Sequence, residues 1–142
     1  MNTTILEKTA RLFLWIVAVL SVILLLRGHN LPGGGFIAGI VLSVGFIFYG
    51  IVFGSYAIQK IIKYNSRTWM GIGLLLVLIS AIIPVLAGSE VMTGTWLIIS
   101  LPLMGEIHLG TPLLFDTGIC VTVAGLILSV IISIIEVLEW NT

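Results

Sequence analysis

Charge is what this chain has least of: 8% of its 142 residues are Asp, Glu, Lys or Arg, and six basic residues cancel six acidic ones. With no net charge there is no basic field to hold a phosphate backbone and no acidic tail, so nucleic acid is excluded as a partner. Cysteine is as scarce. Cys120 stands alone, so no intramolecular disulfide is possible. The two histidines have no cysteine neighbour to make a zinc site, and neither a metal nor another cofactor is expected. At this length a membrane domain and a soluble catalytic domain do not both fit, and the chain is not expected to be an enzyme.

Apolar residues fill the space that charge leaves: 59% of the chain is hydrophobic and the mean hydropathy is +1.27, far above what a water-soluble domain tolerates. A spanning helix needs about 20 mostly apolar residues. Four uncharged runs meet or approach that length: Leu12–Leu26, flanked by arginines that can snorkel outward, Phe36–Ile58, Trp69–Ser89 and Thr117–Ile135. The first run follows Lys8 and Arg11 as in a signal peptide, but its exit, Leu26-Arg27-Gly28-His29, lacks a small-residue cleavage pattern, and it reads as a retained helix. The expected architecture is an all-α integral membrane unit over residues 1–142, with four spans at about 10–27, 35–58, 69–88 and 112–137.

Four spans put the N-terminus, the loop after the second helix and the C-terminus on one side. That side holds Lys8, Arg11, Lys60, Lys63 and Arg67, against Arg27 on the other, which predicts cytoplasmic termini. The long outer connection from Glu90 to Thr111 contains a fifth uncharged run, Val91–Gly105. It is interrupted by Gly94 and Pro102, and its Thr95-Trp96-Leu97-Ile98-Ile99 stretch is β-prone, so a hairpin or re-entrant cap is expected there rather than a span.

An ionisable group at membrane depth is a functional candidate, because leaving it there costs several kcal/mol without a partner or water. Asp116 fits that description best. In Thr111-Pro112-Leu113-Leu114-Phe115-Asp116, Thr111 can N-cap a helix, Pro112 suits its first position, and Asp116 falls about one turn inside. One reading is an ion-pathway carboxylate. The other is a complement to the helix N-terminus, worth about 0.3–1 kcal/mol.

The second candidate is the turn Arg27-Gly28-His29-Asn30-Leu31-Pro32-Gly33-Gly34-Gly35-Phe36. Three glycines opening a helix allow very close backbone approach and leave N–H groups for an anion, a neighbouring carboxylate or another chain. A tight surface turn with no ligand explains them as well. His29 can titrate near neutral pH and relay protons, as can His108 beside Glu106, though either serves equally as a plain hydrogen-bonding residue.

Small residues four apart mark close-packing faces: Gly35 with Gly39, Gly50 with Gly54, and Gly125, Ser129 and Ser133. Packing among the four helices themselves accounts for some of this surface, yet two such stripes exceed the evident needs of one small bundle and point also to foreign helices as partners. Pro84 frees the carbonyl of Ser80 and marks a kink. The interiors of the first three spans carry no ionisable side chain, so the chain alone is a poor transporter.

Two stretches, Gly28-His29-Asn30-Leu31-Pro32-Gly33-Gly34-Gly35-Phe36-Ile37-Ala38-Gly39 and His108-Leu109-Gly110-Thr111-Pro112-Leu113-Leu114-Phe115-Asp116-Thr117-Gly118, resemble the signature segments of the B subunit of the multisubunit Mrp/Mnh-type Na+/H+ antiporter. The likeness extends over nearly the whole chain. It implies a bacterial plasma-membrane complex in which small subunits of this kind assemble with large proton-pump-like ones, proton uptake drives Na+ or Li+ export, and no redox cofactor takes part. It also marks Pro32, Phe36, the glycines between them and Asp116 as functionally sensitive. The same module occurs in membrane-bound hydrogenases, so a redox-driven pump subunit is the alternative, beside a purely structural scaffold. A small homo-oligomeric drug carrier would need a mid-helix glutamate that this chain lacks.

Overall fold

The computed structural model of the chain describes residues 3–28, 32–101 and 105–140. Among the described residues, four helices are long and apolar enough to cross a membrane: α1 (Thr3–Arg27), α2 (Gly35–Phe53), α4 (Ser66–Leu86) and α5 (Thr111–Trp140). The four-span, all-α membrane architecture expected from the hydropathy is therefore the architecture found. A short helix, α3 (Ser55–Ile62), follows α2.

Helices α2 and α5 form the central pair, with α1 against α2 and α4 against α5. The central pair is parallel. Gly35 meets Asp116, Gly39 meets Cys120, and Gly50 meets Ile135 further along. The outer pairings are antiparallel: Ser21 bonds Ala38 while Phe13 stacks edge-on against Phe48 at 5.3 Å, and Gly73 meets Gly118 while Met70 meets Gly125.

Away from the isoleucine and leucine cluster at the α3 end, small residues fill much of the interior. Ala10, Ala38, Ala124, Ser21, Ser43 and Ser80 are buried, whereas Leu12, Trp15, Leu74, Leu78 and Val130 are more than half exposed. This inverts a water-soluble core, as packing in lipid requires: apolar tails compete for large side chains, and helices gain most by close backbone approach. The hydroxyls stay satisfied without water, Ser43 donating to the Gly39 carbonyl at 2.7 Å and Thr122 to Gly118 at 2.8 Å.

The second span is shorter than its apolar run predicts. Hydrophobicity continues to Ile58, but Gly54 adopts φ 84, ψ 170, a conformation that only glycine reaches easily, and α2 stops at Phe53. The chain then turns into α3, which buries Ser55, Ile58 and Ile62 on one face. Ile58 and Ile62 join Leu128 and Ile132 in a cluster backed by Phe46, Tyr49, Trp69 and Ile135. The Trp69 indole donates to the Ile62 carbonyl at 3.1 Å, satisfying one of the acceptors that a helix end leaves open.

The connection from α4 to α5 carries an antiparallel ribbon, β1 (Trp96–Leu101) with β2 (Gly105–Gly110), in register from Trp96↔Gly110 to Leu101↔Gly105. Thr111 opens α5 itself, and its hydroxyl accepts from the Thr95 N–H at 3.2 Å. That side chain ties ribbon to helix, in place of the capping role read from the sequence. Pro84 lies in the last turn of α4, with the Ser80 hydroxyl donating to the Val77 carbonyl at 2.7 Å. It belongs to the helix ending and divides no span.

Candidate functional site at the glycine turn

The end of α1, the start of α2 and the start of α5 converge where the sequence placed its two candidates. The turn is built from the backbone upward. The Gly34 N–H donates to the Leu24 carbonyl at 3.0 Å, and the Gly34 carbonyl accepts from Ala38 at 3.0 Å, so this glycine closes α1 and opens α2. Its φ of 105 and ψ of 174 fall in a region that a side chain does not tolerate.

The Asp116 carboxylate rests on this turn. A β-carbon on Gly28 would stand 3.0 Å from Asp116 Oδ2, and one on Gly34 would stand 3.7 Å from Oδ2 and 3.9 Å from Oδ1. Gly35 has no room for a side chain, because a β-carbon there would overlap the Asp116 carbonyl oxygen. Asp116 is half-buried while Gly34 and Gly35 are buried. Its carboxylate therefore lies beside the first turn of α2 and one turn inside α5. Both helices present the positive ends of their dipoles here, and parallel alignment sets those ends side by side. A carboxylate between them offsets the repulsion, and its negative charge is stabilised by both positive ends.

One turn deeper a polar link joins three helices. The Ser21 hydroxyl on α1 donates to the Ala38 carbonyl on α2 at 2.8 Å and contacts the buried Cys120 thiol on α5. Ser21 carries no signal in the sequence, since it is linked to the site only by contacts far along the chain, whereas Gly28 belongs to the candidate turn and meets Gly34 within it. The glycines of the GHNLPGGG stretch were the one signal pointing to it.

The remaining candidates scatter. Pro32 and Phe36 are exposed and Gly33 is half-buried against α1. Thr111 faces the α4 side of α5, lining a cavity of about 190 Å³ with Ser80, Met92 and Phe115. Glu106 and His108 lie on β2, opposite Ser100 and Ile98, and His29 lies outside the described residues. Among the described residues, no three of His, Cys, Asp and Glu cluster to hold a metal ion.

Of the two destinations open to the close-packing glycines, contacts within the chain are the ones seen at Gly39, Gly50 and Gly125. Gly39 packs on Cys120 and Val123, Gly50 on Ile58 and Ile135, and Gly125 on Met70 and Ser66. These contacts are internal to the chain, because a parallel pair flanked by two antiparallel partners needs small residues at every crossing. Gly54 serves as the break after α2. Ser133 alone in the second stripe is exposed, with Ser129 half-buried beside it.

Residues 5–129 match the family described as "Domain related to MnhB subunit of Na+/H+ antiporter". The chain belongs to this MnhB family. It is 33% identical over 133 residues to a protein of Staphylococcus saprophyticus named antiporter subunit mnhB2, covering 94% of each chain. The protein of that name from Staphylococcus aureus strain Newman is 34% identical over 136 residues. Among solved structures, the Mrp complex from Dietzia sp. DQ12-45-1b contains a chain that shares the fold with a TM-score of 0.79 at 24% identity. This MnhB-family chain aligns over 94% of its own length but spans only 14% of that larger chain.

Proposed function

We propose that the chain is the B subunit of a multisubunit Na+(Li+)/H+ antiporter complex of the bacterial plasma membrane, a non-catalytic membrane subunit whose Asp116 site bears on the ion pathway. The observation that carries the reading is the placement of Asp116. It is the sole Asp, Glu, Lys or Arg in the apolar run that follows Pro112 up to Ile135, and it lies on a glycine floor between two helix N-termini. A carboxylate so placed can attract a cation or accept a proton when another subunit brings water or charge to it.

The outer faces support assembly with other membrane subunits and contact with lipid. Trp15, Ile16 and Val19 on α1 and Leu74, Leu75 and Leu78 on α4 are all more than half exposed, and such faces need lipid or foreign helices over them. Cytoplasmic termini are supported by the basic residues: Arg11 lies 5.2 Å from the Phe53 ring at the end of α2, and Lys60, Lys63 and Arg67 surround the α3–α4 junction at the same end of the bundle.

Affinity purification of the tagged chain from its native membrane is expected to recover the large antiporter subunits. Proteoliposomes holding this chain alone are expected to show no Na+-dependent proton movement. Exchange by the isolated chain would overturn the reading.

A further inference from the structure

We propose that the chain holds an anionic phospholipid at the α3 end of the bundle, with the phosphodiester headgroup in a basic cavity and an acyl chain lying along α5. The cavity, about 530 Å³, opens between α3, the start of α4 and the second half of α5. Lys60, Lys63 and Arg67 line it together with Tyr56, Tyr64 and Glu136. Three cations face one carboxylate, and that carboxylate already accepts from the Gln59 amide at 2.8 Å. The net charge there is positive in a chain whose overall charge is zero. Lysine ammonium and arginine guanidinium groups only donate, so the ligand they complement is an acceptor-rich anion.

A second groove adjoins the cavity along α5. Ser129 and Ser133 line both, and the other walls of the groove, of about 540 Å³, are Val130, Ile134, Val137 and Leu138. The Ser133 hydroxyl donates to the Ser129 carbonyl at 2.9 Å, so the junction makes no demand for water. A basic pocket beside an apolar furrow on the same spanning helix fits one molecule with an anionic head and a hydrocarbon tail. Tyr56 and Tyr64, 77% and 64% exposed, have the character of residues at the headgroup level.

The backbone adds a separate observation. Lys63 has φ 59 and ψ −33 at the end of α3, where its N–H donates to the Gln59 carbonyl. Glycine takes such a conformation without strain and lysine does not. A lysine there places a cation in the cavity lining against the local backbone preference. An acidic segment of another subunit would match the cations but leave the furrow unexplained, so the lipid is the better fit. The inference rests on the membrane spans and not on antiport, and the two can fail separately.

The test is native mass spectrometry of the full-length chain, and of the assembled complex, with phosphatidylglycerol and phosphatidylcholine of identical acyl chains at equal concentration. Phosphatidylglycerol is expected to be retained at least about tenfold over phosphatidylcholine. The triple variant Lys60→Gln, Lys63→Gly, Arg67→Gln is expected to lose that preference. Should the triple variant fail to fold, Lys63→Gly alone, whose backbone suits glycine, is expected to lower the preference severalfold with its thermal melting temperature maintained or raised. Equal retention of the two lipids by the native chain, or a preference that survives the substitutions, overturns the proposal. So does displacement of the lipid by millimolar inorganic phosphate, which would assign a free-anion site. Cross-linking from position 63 to another subunit in place of lipid in the assembled complex would likewise assign the cavity to a protein segment.

Discussion

The Cα of Gly35 lies directly on the backbone of Asp116: a β-carbon there would stand 2.7 Å from the Asp116 carbonyl carbon and 2.9 Å from its Cα. The contact brings the first turns of two parallel helices together and fixes the height of the carboxylate relative to the glycine turn.

Gly35→Ala is therefore expected to separate α2 from α5. Overpacking costs about 1–3 kcal/mol where neighbours can shift, and here the neighbour is backbone, so the upper end applies. Gly71 on α4 meets nothing within 4 Å, and Gly71→Ala is expected to be neutral or stabilising by up to about 1 kcal/mol. Thermal unfolding of both variants in detergent makes the comparison, and equal losses would contradict the assigned contact.

Asp116→Asn keeps the side chain's size and removes its charge. The complex is expected to assemble at normal levels while antiport falls or the apparent cation affinity weakens, and Asp116→Glu is expected to retain part of the activity. A carboxylate that only complements helix ends is worth at most about 1 kcal/mol of stability and leaves transport intact. Na+-dependent pH changes in everted vesicles distinguish the two roles, unchanged affinity in the Asn variant pointing to the structural one.

Gly54 separates the second span from α3. With φ 84 and ψ 170, Gly54→Ala is expected to cost about 1–3 kcal/mol and to draw Ile58 and Ile62 away from Leu128 and Ile132. Trp69 reports on this displacement, because its indole is bonded to the Ile62 carbonyl. A shift in its fluorescence with a lowered melting temperature is the expected result, and an unchanged spectrum and melting curve is the contrary one.

Both termini are expected in the cytoplasm, since five of the six basic residues fall on that face of a four-span chain. Thr142→Cys should resist an impermeant thiol reagent added outside intact cells and react after the membrane is opened. Labelling from outside would reverse the orientation.

Length and hydropathy by themselves determined that this chain crosses a membrane four times, because a hydrophobic slab of fixed thickness filters sequences by run length and by little else. They also marked Asp116, since one carboxylate beside a long apolar run is conspicuous without any fold. What lay beyond reach was pairing. The sequence set Gly28 and Gly35 in one turn and Asp116 far along the chain, and only the parallel docking of α2 on α5 brought them together. Close-packing glycines look alike whether they face a neighbour in the same chain or another subunit, so both readings of Gly39, Gly50 and Gly125 stay open in the sequence until helix order assigns them inward. The end of α2 escaped for a related reason: hydropathy continues through Gly54 to Ile58, but a backbone conformation, which hydropathy does not record, ends the helix at Phe53. Which faces meet is decided by shape over distances far longer than any local pattern, and it is there that the tertiary structure completes the site.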